Sequence, residues 1–161
     1  MLYDNEVSIS MSARSQNEAF ARVTAAAFTA PFDPLLNELT DIKTAVSEAV
    51  TNAIIHGYEN SDGYVFITLR SIGNEIIITI TDEGVGIEDL KQAMTPLYTS
   101  KPELERSGMG FTVMQTFMDH VEVTSAPGRG TTVEMRKTIT RQGRKSDYNC
   151  LFSGMGSGGK Q

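Results

Sequence analysis

Cysteine is nearly missing from this chain of 161 residues. Cys150 is the single one, so no intrachain disulfide can form, which fits a reducing compartment such as the cytoplasm. An excess of positive charge is missing too. Lys and Arg number 14 against 20 Asp and Glu, for a formal net charge of −6. An acidic surface repels phosphate backbones, which argues against direct nucleic-acid binding. The start, Met1-Leu2-Tyr3-Asp4-Asn5-Glu6, lacks the basic-then-apolar order of a secretory signal. No apolar run is long enough to span a bilayer, so no membrane association is expected. No internal repeat stands out. What is there suffices for one packed domain: 40% hydrophobic and 21% charged residues.

The pattern predicts a strand over 7–13, where Val7, Ile9 and Met11 alternate with serines. Ser15 stands three residues before Glu18, the capping-box spacing, and a helix is expected from about 16 to 30. Asp33-Pro34 reads as an N-cap followed by proline at the first helical position. The stripe Leu35, Leu39, Ile42, Val46, Val50 and Ile54 then extends a long helix from about 34 to 56, with Gly57 as its stop. Alternation predicts strands over 64–72 and 75–82, joined through Gly73-Asn74 as an antiparallel hairpin. A short helix over 88–93, a mobile loop from 95 to 110 and a helix from Phe111 to Met118 follow. Two last strands, 120–126 and 131–138, flank Pro127-Gly128-Arg129-Gly130. Residues 1–140 are expected to form the domain, and the basic, glycine-rich 141–161 a disordered tail. Grouped helices and strands predict α+β, a two-layer sandwich with helices on one face of a mainly antiparallel sheet.

Four features are candidates for chemistry, each with a plainer alternative. Glu48, Asn52 and His56 are four apart and share a helix face. That face is either simply solvated or, with Ala45, Ala49 and Ala53 leaving room beside it, a ligand wall. In the second case Glu48 is suited to general-base work and the Asn52 amide oxygen to Mg²⁺. Asp82-Glu83-Gly84-Val85-Gly86 is either an acidic turn or a place where a flat group approaches bare backbone, with Asp82 accepting from an exocyclic amine. Lys101, Arg106, Ser107, Gly108 and Gly110 lie in a charged loop that precedes a helix, a pattern suited to an anion. Gly130-Thr131-Thr132 enters the last strand and is uninformative alone.

Taken in order, these features resemble the GHKL ATP-binding superfamily: Glu-x-x-x-Asn on a helix, Asp-x-Gly-x-Gly, a lid with Gly-x-Gly, and Gly-Thr-Thr on the last strand. That resemblance implies ATP held between helices and sheet beneath a lid. Only about 30 residues precede the nucleotide-binding helix, too few for a histidine kinase's dimerisation helices. The chain is similar to the short switch-type anti-sigma kinases that act on the sporulation sigma factor F. The matching stretches include Ser15 to Thr24, Val46 to Asn60 and Lys101 to Phe111.

What the resemblance implies is a homodimeric, cytoplasmic serine/threonine protein kinase using ATP and Mg²⁺. It binds and silences sigma factor F and phosphorylates a serine on an anti-anti-sigma factor. Glu48 is then the base, and Asn52 the Mg²⁺ ligand. Asp82 reads the adenine amine, with Gly84 and Gly86 lining that pocket. Lys101, Arg106, Ser107, Gly108 and Gly110 close on the phosphates. Thr132 supports adenine, and Arg22 docks the protein partner. The alternatives are a non-catalytic ATP-gated sigma-binding module, against which Glu48 speaks, and the paralogue serving the general-stress sigma factor with the same chemistry.

Overall fold

The computed structural model describes residues 2–96 and 110–140. Lys101, Arg106, Ser107 and Gly108, most of the expected loop and the tail 141–161 lie outside the described residues. The described elements follow the expected order: β1 (Asn5–Ser12), α1 (Asn17–Thr29), α2 (Leu36–Asn52), β2 (Tyr64–Ile72), β3 (Glu75–Asp82), α3 (Leu90–Ala93), α4 (Gly110–Phe117), β4 (His120–Ser125) and β5 (Thr131–Thr138). Among the described residues five strands make one sheet of order β1-β2-β3-β5-β4, with every pairing antiparallel. The expected α+β sandwich stands. Among the described residues no helix is long and apolar enough to cross a membrane.

Strand alternation decides which face of the sheet meets the helices. Val65, Ile67 and Leu69 of β2 and Ile76, Ile78 and Ile80 of β3 are buried, as their alternation predicts. Val133 and Met135 of β5 continue the same face. Each fully buried branched side chain contributes roughly 1.5–3 kcal/mol relative to exposure. Helix α2 covers this face with Ile42, Val46 and Val50, all fully buried. Strand β1 is half-covered at most: only Met11 is buried, while Val7 is 40% exposed, because β1 is the edge of the sheet.

Three helix ends depart from the sequence expectation. Ser15 and Glu18 form no capping box: Gln16 is the N-cap of α1 without a side-chain bond, and Glu18 Oε1 instead accepts from Ser47 Oγ of α2. A carboxylate reaching a neighbouring helix is lost to its own helix end. Asp33 is not the N-cap of α2. It lies in the left-handed region (φ 56°) and closes a short 3₁₀ turn over Ala30–Phe32. Helix α2 starts two residues later, with the Leu35 N–H donating 2.8 Å to Glu38 Oε2. At its far end α2 does not stop at Gly57 as a regular helix. The turn Ala53–Gly57 is a π-helix, a form that is uncommon but frequent at functional sites.

Glu38 is 6% exposed and holds two chain segments together. Its carboxylate accepts from the N–H of Leu35 and, at 2.9 Å, from the N–H of Thr140 just past β5. Close by, Lys137 Nζ donates to Phe117 O at the end of α4 (2.6 Å) and to Asp41 of α2 (3.2 Å). Burial alone would raise the Glu38 pKa, but the N–H donors and Lys137 outweigh it and hold the carboxyl below its ordinary value. A lowered carboxyl contributes stability that is complete above its unfolded value and is lost as pH falls through the folded one. Glu38→Ala, which orphans two N–H groups, is expected to cost about 1–3 kcal/mol in urea unfolding at neutral pH. The gap from wild type should close as pH falls below the carboxylate range; a gap that is constant with pH would remove the charge from its role.

Candidate functional site

Where α2 runs past the ends of β3 and β5, the apolar layer opens into a cavity of about 510 Å³. That size suits a small organic ligand. Ala49, Ala53, Ile80 and Val133 give it apolar walls; Asn52, His56 and Asp82 are among its polar ones. Ala49 and Ala53 thus leave room as expected, whereas Ala45 is fully buried in the core away from the cavity.

Asp82 is the last residue of β3 and only 4% exposed. Burial pushes its carboxyl pKa above the ordinary value, partly opposed by the backbone N–H groups of Gly84 and Thr131. The Gly84 N–H lies 2.9 Å from Oδ1. The carboxylate sits directly against the π turn of α2, where a methyl group added to Gly57 would come 2.7 Å from Asp82 Cγ. Gly84 does not line the cavity, which corrects the expectation for it. A Cβ there would meet Gly57 O at 2.0 Å, so Gly84 lets the loop pack on the helix end. Gly86 does line the cavity, at φ 73°.

The loop after Asp82 is held from both sides. The Val85 N–H donates to Gly57 O (2.8 Å), and Val85 O accepts from the Gly128 N–H (2.7 Å) in the turn before β5. Ser125 Oγ accepts from the Ile87 N–H (2.8 Å) and donates to Gly130 O (2.9 Å). Gly130, at φ 74°, comes so close that a Cβ would lie 1.9 Å from Asp82 O.

Thr132 is not brought into the cavity. Its Oγ1 lies 3.0 Å from that of Thr81, across the sheet from the helices, on the face that carries Glu134 and Arg136. Thr131, paired with Asp82, takes the cavity-facing place. Because strand faces alternate, this correction is one residue wide.

Gly110 opens α4 and is buried against α2. A Cβ on it would stand 3.1 Å from Asn52 Nδ2, 3.2 Å from Asn52 Oδ1 and 3.3 Å from Glu48 Oε2. The structure therefore brings Glu48, Asn52 and the start of α4 to one point, with Asp82 at the other end of the π turn. Among the described residues no group of three His, Cys, Asp or Glu side chains is placed to hold a metal ion alone. The hard amide oxygen of Asn52 instead suits Mg²⁺ as it is usually held, by one or two protein ligands plus substrate phosphates.

Arg22 lies outside the cavity, on α1, 3.6 Å from Glu18. Elsewhere on the surface of α1, Phe20 and Val23 are 55% and 61% exposed. The sequence reading missed Gly57, Thr131 and Ser125, and an acidic rim of Glu59, Glu88 and Asp89 around the cavity. The rim had a signal in the Glu88-Asp89 pair after the glycine loop, and Thr131 had one in the Gly130-Thr131-Thr132 run.

The pattern that defines the histidine kinase-like ATPase domain matches residues 11–137. A protein of Clostridium kluyveri called anti-sigma F factor is 60% identical over 138 residues, which is 86% of this chain and 97% of that one. The anti-sigma F factor of Bacillus licheniformis is 58% identical, over 85% of this chain and 94% of its own. Two solved structures share the fold. The RsbU and RsbW domains of a Mycobacterium tuberculosis protein align with a TM-score of 0.60 at 18% identity, over 85% of this chain and 32% of that one. The catalytic domain of the histidine kinase ThkA aligns with a TM-score of 0.53 at 14% identity, over 84% and 96%.

A raised carboxyl pKa costs stability as pH rises from the ordinary carboxylate value through the folded one. Asp82→Asn removes that cost while keeping an oxygen for the Gly84 N–H. The ligand-free variant is expected to be at least as stable as wild type at neutral pH, and to lack wild type's loss of stability across that window. Thermal unfolding between pH 3 and 8 measures both; a variant that tracks wild type would contradict the burial of a charge here.

Proposed function

The chain belongs to the anti-sigma F factors, on the histidine kinase-like ATPase fold, and we propose that it is a serine protein kinase that uses ATP and Mg²⁺. Its proposed substrate is a serine of an anti-anti-sigma factor, and its proposed regulatory partner is sigma factor F. The single observation that supports this most is the convergence of Glu48 and Asn52 on Gly110 at the start of α4.

In this reading adenine lies toward Asp82, whose carboxylate accepts from the exocyclic amine. Ile80, Val133, Ala53 and Gly86 form the walls around the base. The triphosphate then runs along α2 toward Asn52 and the start of α4, where backbone N–H groups and the helix dipole favour anions. Lys101, Arg106, Ser107 and Gly108 belong to the segment just before Gly110 and would add cations and donors there. Asn52 would hold Mg²⁺, which when bound neutralises charge across the phosphates. Glu48, one turn before Asn52, takes the proton of the incoming serine hydroxyl. The serine oxygen bonds to the γ-phosphorus as the bond to the bridging oxygen breaks, leaving ADP and phosphoserine.

Arg22, on a helix that also exposes Phe20 and Val23, is the proposed docking point for the protein partner. A helix that exposes an arginine and large apolar side chains suits an interface. The family's homodimer and a cytoplasmic location complete the proposal. A non-catalytic, ATP-gated module is the less favoured reading, because it has no use for a carboxylate at Glu48. The general-stress paralogue differs in partners alone.

Incubation of the chain with labelled ATP, Mg²⁺ and an anti-anti-sigma protein tests the kinase reading directly. Glu48→Gln is expected to keep ATP affinity and to slow transfer by roughly 10²–10⁴-fold; transfer at the wild-type rate would remove Glu48 from the chemistry. Arg22→Ala is expected to weaken capture of sigma factor F at least tenfold with ATP affinity unchanged, as read by pull-down and calorimetry. Undiminished capture would return Arg22 to the ordinary surface.

A further inference from the structure

Tyr58 follows the π turn directly and does not line the cavity, yet its hydroxyl reaches the loop that carries Asp82. The side chain is 8% exposed, and its ring lies so close over Gly63 that a Cβ there would come 2.3 Å from it. The hydroxyl donates to Tyr64 O (2.5 Å) and accepts from the Glu83 N–H (2.8 Å). Glu83 stands between Asp82 and Gly84, both of which meet the π turn at Gly57. Asp82, Glu83 and Val85 are thus fixed in turn: Asp82 by the Gly84 N–H, Glu83 by the Tyr58 hydroxyl, Val85 by Gly57 O.

The turn after Tyr58 is itself over-determined. Glu59 and Asn60 both take left-handed backbone (φ 54° and 61°), which costs energy for residues with side chains. It is held by Asn60 N–H to Ile54 O (3.1 Å) and Ser61 N–H to Tyr58 O (2.8 Å). These constraints leave the Tyr58 ring one place to go, so its hydroxyl acts as a fixed post at the root of the Asp82 loop.

We propose that Tyr58 is a positioning residue: its hydroxyl sets the depth of Asp82 in the cavity and so contributes to preference for adenine over hypoxanthine without touching the nucleotide. The proposal rests on the adenine-reading role given to Asp82 above. Removing the hydroxyl leaves the Glu83 N–H and Tyr64 C=O without their partner, and the loop must move toward water to satisfy them. A shift of a few tenths of an ångström at Glu83 passes to its neighbour Asp82. It weakens a hydrogen bond whose worth depends on alignment.

The test compares wild type, Tyr58→Phe and Ile42→Val as full chains, measuring ATP and ITP binding by calorimetry alongside thermal unfolding. ITP carries a carbonyl where ATP carries the amine. Ile42 is fully buried in α2 and lines no part of the cavity, so its variant reports general loosening. Tyr58→Phe is expected to bind ATP about tenfold more weakly and ITP nearly as wild type does, narrowing the ATP preference. Ile42→Val is expected to lose stability and keep the preference. An unchanged ATP-to-ITP ratio in Tyr58→Phe, or the same narrowing in Ile42→Val, would overturn the role of Tyr58. A wild type with no preference for ATP fails the adenine assignment itself and takes this inference with it, so the two failures are told apart by the wild-type measurement alone.

Discussion

A carboxylate buried at the end of a strand is the constraint around which this molecule is arranged. Asp82 is 4% exposed, and burial raises its pKa. Such a group persists only where backbone donors reach it, and here they come from two directions, Gly84 in its own loop and Thr131 on the next strand. Both approaches require bare backbone. Gly57 brings the end of α2 against the carboxylate, Gly84 brings the loop against Gly57, and Gly130 brings the start of β5 against Asp82 O. Helix end, loop and strand thus approach backbone to backbone beside the cavity.

The sheet explains why the cavity is where it is. Along its helix-facing side the rows Ile67–Ile80–Val133–Val123 and Leu69–Ile78–Met135–Val121 are apolar and filled by α2. The next row, Val65–Asp82–Thr131–Ser125, turns polar across three strands at once. Apolar packing cannot continue over that row, so the layers part, and the gap is floored by groups that hydrogen-bond. At the opposite end of the sheet the rows are closed by Glu38, Lys137 and Asp41, whose bonds tie the last strand to α2 and α4. One end of the sandwich is locked and the other open, which lets the open end be shaped without loosening the fold.

Much of this was legible in the sequence, and the parts that were not share a cause. The helical stripe of α2, both hairpins and the layer arrangement follow from periodicity, which is local. Glu48, Asn52 and Asp82 were legible as candidates because the residue types and spacings suit the chemistry, and the family resemblance ordered them. What escaped depends on a distant partner. Glu18 was expected to cap its own helix but serves Ser47, 29 residues away. Asp33 was expected to cap α2, but Glu38 does so from within while also holding Thr140. Gly84 was expected to face a ligand, yet it faces Gly57, a contact no local pattern encodes. Thr132 was one residue off, because two adjacent threonines suit a strand equally and only the register says which faces the helices.

The same logic of one element serving two neighbours bears on how the two proposed activities share a small chain. Adjacent positions on a helix point about 100° apart, so Ser47 and Glu48 address different surroundings from the same turn. Ser47 binds Glu18 of α1, the residue that also pairs with Arg22 at 3.6 Å, while the Glu48 carboxylate lies beside Gly110 at the start of α4. The proposed partner-docking arginine and the proposed base are therefore separated by two side chains, Glu18 and Ser47, and one peptide unit, on two helices packed against each other. Any tilt of α1 that follows engagement of Arg22 must be taken up at Ser47 or passed to the turn that carries Glu48. With Asn52 one turn further on and the π turn behind it, α2 is the rigid body that both ends of the site report to. The proposed base, the proposed ion ligand and the backbone against Asp82 are thus all carried by one helix and its terminal turn.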